Sequence, residues 1–357
     1  MSAGGGNPSG VPELRRGMGL LQATATNVIS MVGVGPFLTI PFMVAAMNGP
    51  HVIYAWIAGL VLALADGLVY AQLGAALPGS GGGYLYLREA FQPFGLGKLM
   101  AFLFIFQTVL IAPLSVAGGA VGFADYLQFV WVGMSPLEHN LIAAAVCVAA
   151  TALLWRNIED IGRLAVVMLV VVLVTVGWVI VAGLFTFSPA QAFAFPPEAF
   201  TFDRSLLMSV GAASVLAMYS YGGYNQVCNI GGEIKDASRT IPRSIVLSVL
   251  IVAAIYIVMS TVILGMMPWE EVRESRTIAS VFVERTFSDP TAGRAAGLVM
   301  TALILFVAAA SLYAGVLGYS RILYAAASDG HFFAIFKWLH PTKHFPGVAL
   351  VTIALVS

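Results

Sequence analysis

Residues 27–37 read Asn27-Val28-Ile29-Ser30-Met31-Val32-Gly33-Val34-Gly35-Pro36-Phe37, an apolar helical stretch interrupted by two glycines and a proline. It lies inside 49 consecutive uncharged residues, 17–65. A helix crosses a bilayer with about 20 apolar residues, so this run holds two spans, and the turn Asn48-Gly49-Pro50 divides them. The first span, residues 19–47, therefore carries a breaker near its own middle. The glycines loosen the backbone there, and Pro36 lacks an N–H and crowds the preceding turn.

The rest of the chain has the same character. Further uncharged runs cover 164–197, 205–232, 244–269 and 295–320. The composition is 59% hydrophobic and 10% charged, with mean hydropathy +0.91, where a soluble domain carries about a quarter charged residues. Seventeen basic and seventeen acidic residues cancel, which leaves no field for nucleic acid. This is an all-α polytopic membrane protein. Cys147 and Cys228 both sit in apolar runs and read as packing residues, with no disulfide or metal site indicated. Residues 1–16 are Gly/Ser/Pro-rich, then basic, and read as a disordered cytoplasmic tail.

Cutting the runs at their breakers places further spans at 51–77, 98–127, 140–155 and 163–185, then others beginning near 205, 243 and 294. With the amino terminus inside, twelve of the seventeen basic residues fall in inner loops and five in outer ones, so the positive-inside rule sets an N-in orientation. The expected home is the plasma (cytoplasmic) membrane, crossed many times. A last apolar segment, 348–357, is ten residues long. That is half a span, so the sequence is expected to be a fragment of a longer protein.

The sixth span carries Tyr221-Gly222-Gly223 where the first carries its glycines, 189 residues later. The second and seventh spans start 192 apart, and the third and eighth 196 apart. A near-constant offset means two five-helix halves, each opening with an interrupted helix. Five is odd, so the repeat is inverted. Residues 17–185 form the first half, 186–204 an extracellular loop, and 205–357 an incomplete second half. Glycine and proline often merely kink a membrane helix, but two interruptions at matching repeat positions point to a transporter site at the bilayer midplane. An unwound turn presents N–H groups at the start of one half-helix and C=O groups at the end of the other. The first suits a carboxylate and the second an ammonium. Such a break is a zwitterion receptor with no charged side chain.

These residues resemble the amino acid–polyamine–organocation permeases, of the amino acid permease type. Met31-Val32-Gly33-Val34-Gly35-Pro36-Phe37 is similar to that family's unwound Ile-Gly-x-Gly-Ile-Phe motif. Tyr70-Ala71-Gln72-Leu73-Gly74 and Leu77-Pro78-Gly79-Ser80-Gly81-Gly82-Gly83-Tyr84, continuing to Phe91, match its most recognisable segment. Tyr219-Ser220-Tyr221-Gly222-Gly223-Tyr224-Asn225, Gly232-Glu233-Ile234-Lys235-Asp236, Arg239-Thr240-Ile241-Pro242-Arg243 and Ser320-Arg321-Ile322-Leu323-Tyr324-Ala325 fit as well. The resemblance implies a leucine-transporter-like fold, a five-plus-five inverted repeat with helices 1 and 6 broken, here ending inside helix 9. It implies uptake or exchange of amino acids or related amines. The substrate carboxylate would meet the amides of Gly33, Val34 and Gly35. Its amine would meet carbonyls near Ile29, Ser30 and Val32, and near Tyr219 and Tyr221. Tyr219 falls where relatives place an aromatic lid, and Gly222, Gly223 and Asn225 complete the second break.

The sequence departs from the family at Gln72, where relatives usually carry Glu. Residues 164–185 lack the lysine that some relatives put in place of a sodium ion, and Ser311 alone offers a sodium-site hydroxyl. The coupling ion is thus a proton or sodium, with the proton favoured, and no cofactor is called for. Asp66 is the only acid or base deep in a span, so it is the candidate proton carrier. Its bland reading is a carboxyl bonded to Tyr70 four residues on. Gly118 and Gly122 read as small-residue helix packing. His340 and His344, four apart around Pro341, read as solvated surface, and the charged run from Glu270 to Arg276 as a short solvated helix. Two other classes compete: a membrane-embedded enzyme, which needs clustered intramembrane His, Asp, Glu or Ser, and a channel or receptor, which needs no matched breaks. The expected partners are a small-molecule substrate and the lipid bilayer; the oligomeric state stays open.

Overall fold

The computed structural model describes residues 14–197, 199–201 and 204–357. Most of the expected tail, residues 1–13, and part of the 186–204 loop lie outside the described residues. The described chain is all helical. Its α-helices are α1 (Leu20–Met31), α2 (Gly35–Met47), α3 (Ile53–Ala76), α4 (Gly83–Phe91), α5 (Gly97–Leu127), α6 (Pro136–Leu153), α7 (Ile158–Phe185) and α8 (Pro189–Ala192). They continue as α9 (Arg204–Tyr221), α10 (Gln226–Asn229), α11 (Ala237–Met266), α12 (Trp269–Val272), α13 (Ile278–Arg285), α14 (Pro290–Ser328) and α15 (Gly347–Val356). Six of these are long and apolar enough to cross a membrane alone, and α1 with α2 makes a seventh span bent by 45°.

Four spans, α6, α7, α11 and α14, begin earlier than hydropathy places them, and the residues at their starts give the reason; for α14 it is Asp289, which accepts from the Ala292 amide. Ser135 accepts from the Glu138 amide while Glu138 reaches back to Ser135, a capping box that starts α6 at Pro136. The Asn157 side chain accepts from the Asp160 amide at 2.9 Å and starts α7 at Ile158. Asp236, in the left-handed region at φ 45°, precedes α11 at Ala237. Charged residues occupy the first turns of α6 and α7, where carboxylates favour the helix dipole. A hydropathy reading counts them as loop. The glycine run 81–83 also does more than end a helix, because it leads into amphipathic α4, packed on α5. The charged 270–276 stretch holds only the single turn of α12, followed by buried α13.

The core forms around α1, α3, α11 and α14. Trp56 of α3 is fully buried and donates its indole N–H to Ser260 Oγ of α11 at 2.8 Å. Its ring meets Tyr221 edge-on at 5.8 Å and Tyr256 at 4.9 Å, which locks α3, α9 and α11 together.

The end of the bundle that carries Arg15 is sealed. The Glu233 carbonyl accepts from the amides of Gly17 and Met18 at 2.9 and 3.2 Å, and Lys235 N–H returns to the Met18 carbonyl at 2.8 Å. Gly81 N–H reaches the Asn229 carbonyl at 2.9 Å. Inside this seam the Glu233 carboxylate takes two bonds from the Arg321 guanidinium, at 2.9 and 3.1 Å, with both side chains 0% exposed. A buried pair of this kind survives desolvation only through such bidentate geometry.

Candidate functional site

The first break follows from its residues. The last closed turn of α1 is Val32 N–H to the Val28 carbonyl, 2.8 Å. Helix α2 restarts with Pro36 in its first turn and with no side chain capping it. Among the described residues, the N–H groups of Gly33, Val34 and Gly35 make no hydrogen bond, and the carbonyls of Ile29 and Val32 accept none. The Ser30 carbonyl accepts from Ser311 Oγ at 3.3 Å and the Met31 carbonyl from Tyr256 Oη at 2.8 Å. Gly33 has to be glycine, because a Cβ there would stand 2.7 Å from Ser311 Oγ.

The second break runs through Gly222, Gly223, Tyr224 and Asn225 between α9 and α10. Gly223 has φ 122°, a conformation that L side chains avoid. It also lies against Ser30, whose side chain a Cβ would meet at 2.8 Å, and this contact brings the two breaks together. Three side chains tie the break down. Asn27 of α1 accepts from Val227 N–H at 3.0 Å and donates to Ser248 at 3.4 Å. Thr39 of α2 shares a 2.8 Å bond with Ser220. Tyr256 of α11 donates to the Ser220 carbonyl at 3.2 Å as well as to that of Met31.

Both breaks open on one cavity of about 800 Å³. Of the residues singled out from sequence, Ser30, Gly33, Val34, Gly35, Tyr219, Gly222, Gly223, Asn225 and Ser311 all line it. Tyr219 is 70% exposed. The side chains of Ile29, Val32 and Tyr221 are fully buried elsewhere, so only their main chains can serve the cavity. Sequence reading expects a wall from the third span, which is α5, but assigns none of its residues to the lining. Phe104, Gln107, Thr108, Ile111 and Ser115 recur three and four apart and face the cavity. Polar residues at that spacing in an otherwise apolar span were the available signal. Gly118 and Gly122 do not act as a pair: Gly118 lines the cavity with open space at its Cβ position, while Gly122 packs on Val34. Among the described lining residues there is no Asp, Glu, Lys, Arg or His.

Asp66 does not bond to Tyr70. Its carboxylate accepts from Tyr224 Oη at 2.5 Å, across to the second break, and its side chain is exposed beside the buried small residues of α3. Tyr70 instead lines the cavity. His340 sits in a loop, stacked on Phe345 at 5.1 Å, and His344 follows at φ 53°.

A sequence model of the family described as amino acid permease matches residues 18–357. The chain is 25% identical to mouse cationic amino acid transporter 4 over 96% of its own length and 54% of the relative's. It thus spans about half of that protein. It is 26% identical to the human cystine/glutamate transporter, covering 96% of this chain and 67% of that one. It is 27% identical to the mouse large neutral amino acids transporter small subunit 2, covering 99% of this chain and 65% of that one.

Proposed function

Because this chain belongs to the amino acid permease family, we propose that it is a secondary active transporter that moves amino acids or related amines by alternating access. One observation supports this most directly: three consecutive residues with unpartnered amides, Gly33 to Gly35, line the cavity beside Ser30 and Met31 at the carbonyl end of α1. In this reading the α-carboxylate docks on those amides. The α-amine docks on the carbonyls of Ile29 and Val32, with those of Tyr219 and Tyr221 at the second break. Tyr219 covers the bound substrate. The relatives are named for cationic amino acids, for cystine and glutamate, and for large neutral amino acids, and a likeness at 25–27% identity does not choose among them.

The coupling ion in this reading is the proton, carried by Asp66. Its bond to Tyr224 supports the assignment, because a proton gained or lost at Asp66 is felt directly at the second break. Uptake of labelled amino acid into proteoliposomes containing the full-length transporter tests the whole scheme. Saturable uptake is expected, with a pH dependence that Asp66→Asn flattens while exchange persists. Uptake that requires sodium at every pH would move the coupling site to Ser311, beside the Ser30 carbonyl. The amino terminus is cytoplasmic in this scheme. Cysteines placed at Ser238 and Ser275 should therefore label from opposite faces of the membrane, and same-side labelling refutes the topology.

A further inference from the structure

Resting on the transport reading above, we infer that the cavity takes amino acids whose side chains carry no net charge and rejects cationic and anionic ones. The first break supplies one partial positive site, at the Gly33–Gly35 amides, and one partial negative site, at the carbonyl end of α1. These match the α-carboxylate and the α-amine and are used up by them. The described residues of this chain that line the cavity offer a side chain nothing ionisable, since they contain no Asp, Glu, Lys, Arg or His.

Charges carried by the elements that build the walls are placed outside the cavity. Asp66 of α3 is held by Tyr224. Glu233 and Arg321 close on each other within the sealed end. Asp125, near the end of α5, holds His139 at 2.9 Å. What α5 offers instead is neutral and polar: Gln107, Thr108 and Ser115. Such groups can hydrogen-bond a hydroxyl or an amide, and the neighbouring Phe104 and Ile111 can receive an apolar side chain. A guanidinium, an ammonium or a second carboxylate would lose its water without gaining a counter-charge, which is the costly case for any buried ion.

Gln107 gives the sharpest handle, because a carboxylate of the same size can be put in its place. The full-length transporter in liposomes would be assayed with labelled alanine, serine, glutamine and leucine against lysine, arginine, aspartate and glutamate. The charged substrates are expected to bind at least about 30-fold more weakly. Gln107→Glu is expected to admit lysine and arginine and to weaken the neutral substrates. Arginine or glutamate handled within a few-fold of alanine by the unaltered protein overturns the charge rule while leaving amino acid transport standing. A Gln107→Glu protein that transports neutral substrates normally and gains no lysine uptake overturns the assignment of the selecting wall to α5. No uptake of any amino acid overturns the transport reading itself, and the charge rule with it.

Discussion

The break in the first span and the break in the sixth look alike in sequence, each a pair of glycines in an apolar helix, yet the fold fastens them to different degrees. Among the described residues the first leaves the amides of Gly33 to Gly35 without a hydrogen bond, as the second leaves those of Gly223 to Asn225, but only two side chains, Ser311 and Tyr256, hold the first. The first leads into α2, a helix of 13 residues that begins with unsatisfied donors. The second is fastened. Asn27, Thr39, Tyr256 and Asp66, from four different helices, each reach it or the residues beside it. Its continuation, α10, is a single turn of four residues. Similar local chemistry is thus lightly held in one place and fastened in the other, and in the proposed scheme the lightly held break is the receptor. Side chains far away in sequence make the difference.

The largest expected effect falls on the lightly held break. Gly35 has ordinary space at its Cβ position, with Tyr219 Cε1 at 4.0 Å. Gly35→Val should therefore fold and insert normally while its branched side chain blocks the amides. A loss of at least about 100-fold in substrate affinity is expected by equilibrium binding, the size of losing charge-assisted donors. Affinity unchanged in a well-folded Gly35→Val protein would show that the free amides are not the carboxylate site. Gly33→Val is the harsher variant, since its Cβ meets Ser311, and a loss of expression is expected to accompany its loss of binding.

Next in size is Tyr256→Phe. One hydroxyl bonds a carbonyl from each break, and both acceptors are buried. Its removal should lower stability by about 2 kcal/mol and substrate affinity by about tenfold. Thermal unfolding and binding would be followed together. A drop in stability with full affinity would mean that the two breaks need not be held in mutual register for binding.

The parts of this arrangement differ in how far the sequence revealed them. Long uncharged runs between breakers locate the spans, and Gly33, Gly35 and Gly222-Gly223 mark the two interruptions, because both signals are local and written in composition. The fastenings are single polar residues inside apolar runs. Asn27 meets a partner 200 residues away and Tyr256 one 225 away, so no periodicity announces them. The Glu233–Arg321 pair, 88 residues apart, is hidden for the same reason. Asp66 shows the converse error: Tyr70 stands one turn along the same helix, but the second break, packed alongside, brings Tyr224 to it. Short amphipathic helices such as α4 and α13 are missed because hydropathy measures length of apolar run, which they lack.

Asn27→Leu tests the fastening from the other side. The variant keeps the branched shape with bulkier ends and removes the acceptor for Val227 N–H together with the donor to Ser248. Asn27 is fully buried and does not line the cavity. A stability loss of about 1–3 kcal/mol is expected from the orphaned amide, with at most a few-fold change in affinity. A collapse of affinity as deep as that of Gly35→Val would erase the distinction between receptor and joint.

The smallest and most selective effect is expected at Tyr224→Phe. Tyr224 is buried within the second break, does not line the cavity, and donates to the exposed Asp66. Losing this hydroxyl removes one bond at a carboxylate that lies outside the cavity. Affinity should therefore hold. What goes is the mechanical link between the charge on Asp66 and the conformation of the fastened break. Uptake should slow by about threefold, the scale of one ordinary hydrogen bond, and its pH dependence should flatten as it does in Asp66→Asn. The two changes should not add in the double variant, since either one alone severs the same contact. Independent, additive losses would mean that Asp66 acts on some other part of the protein. A fall in substrate affinity at Tyr224→Phe would place the second break among the binding groups and not the joints.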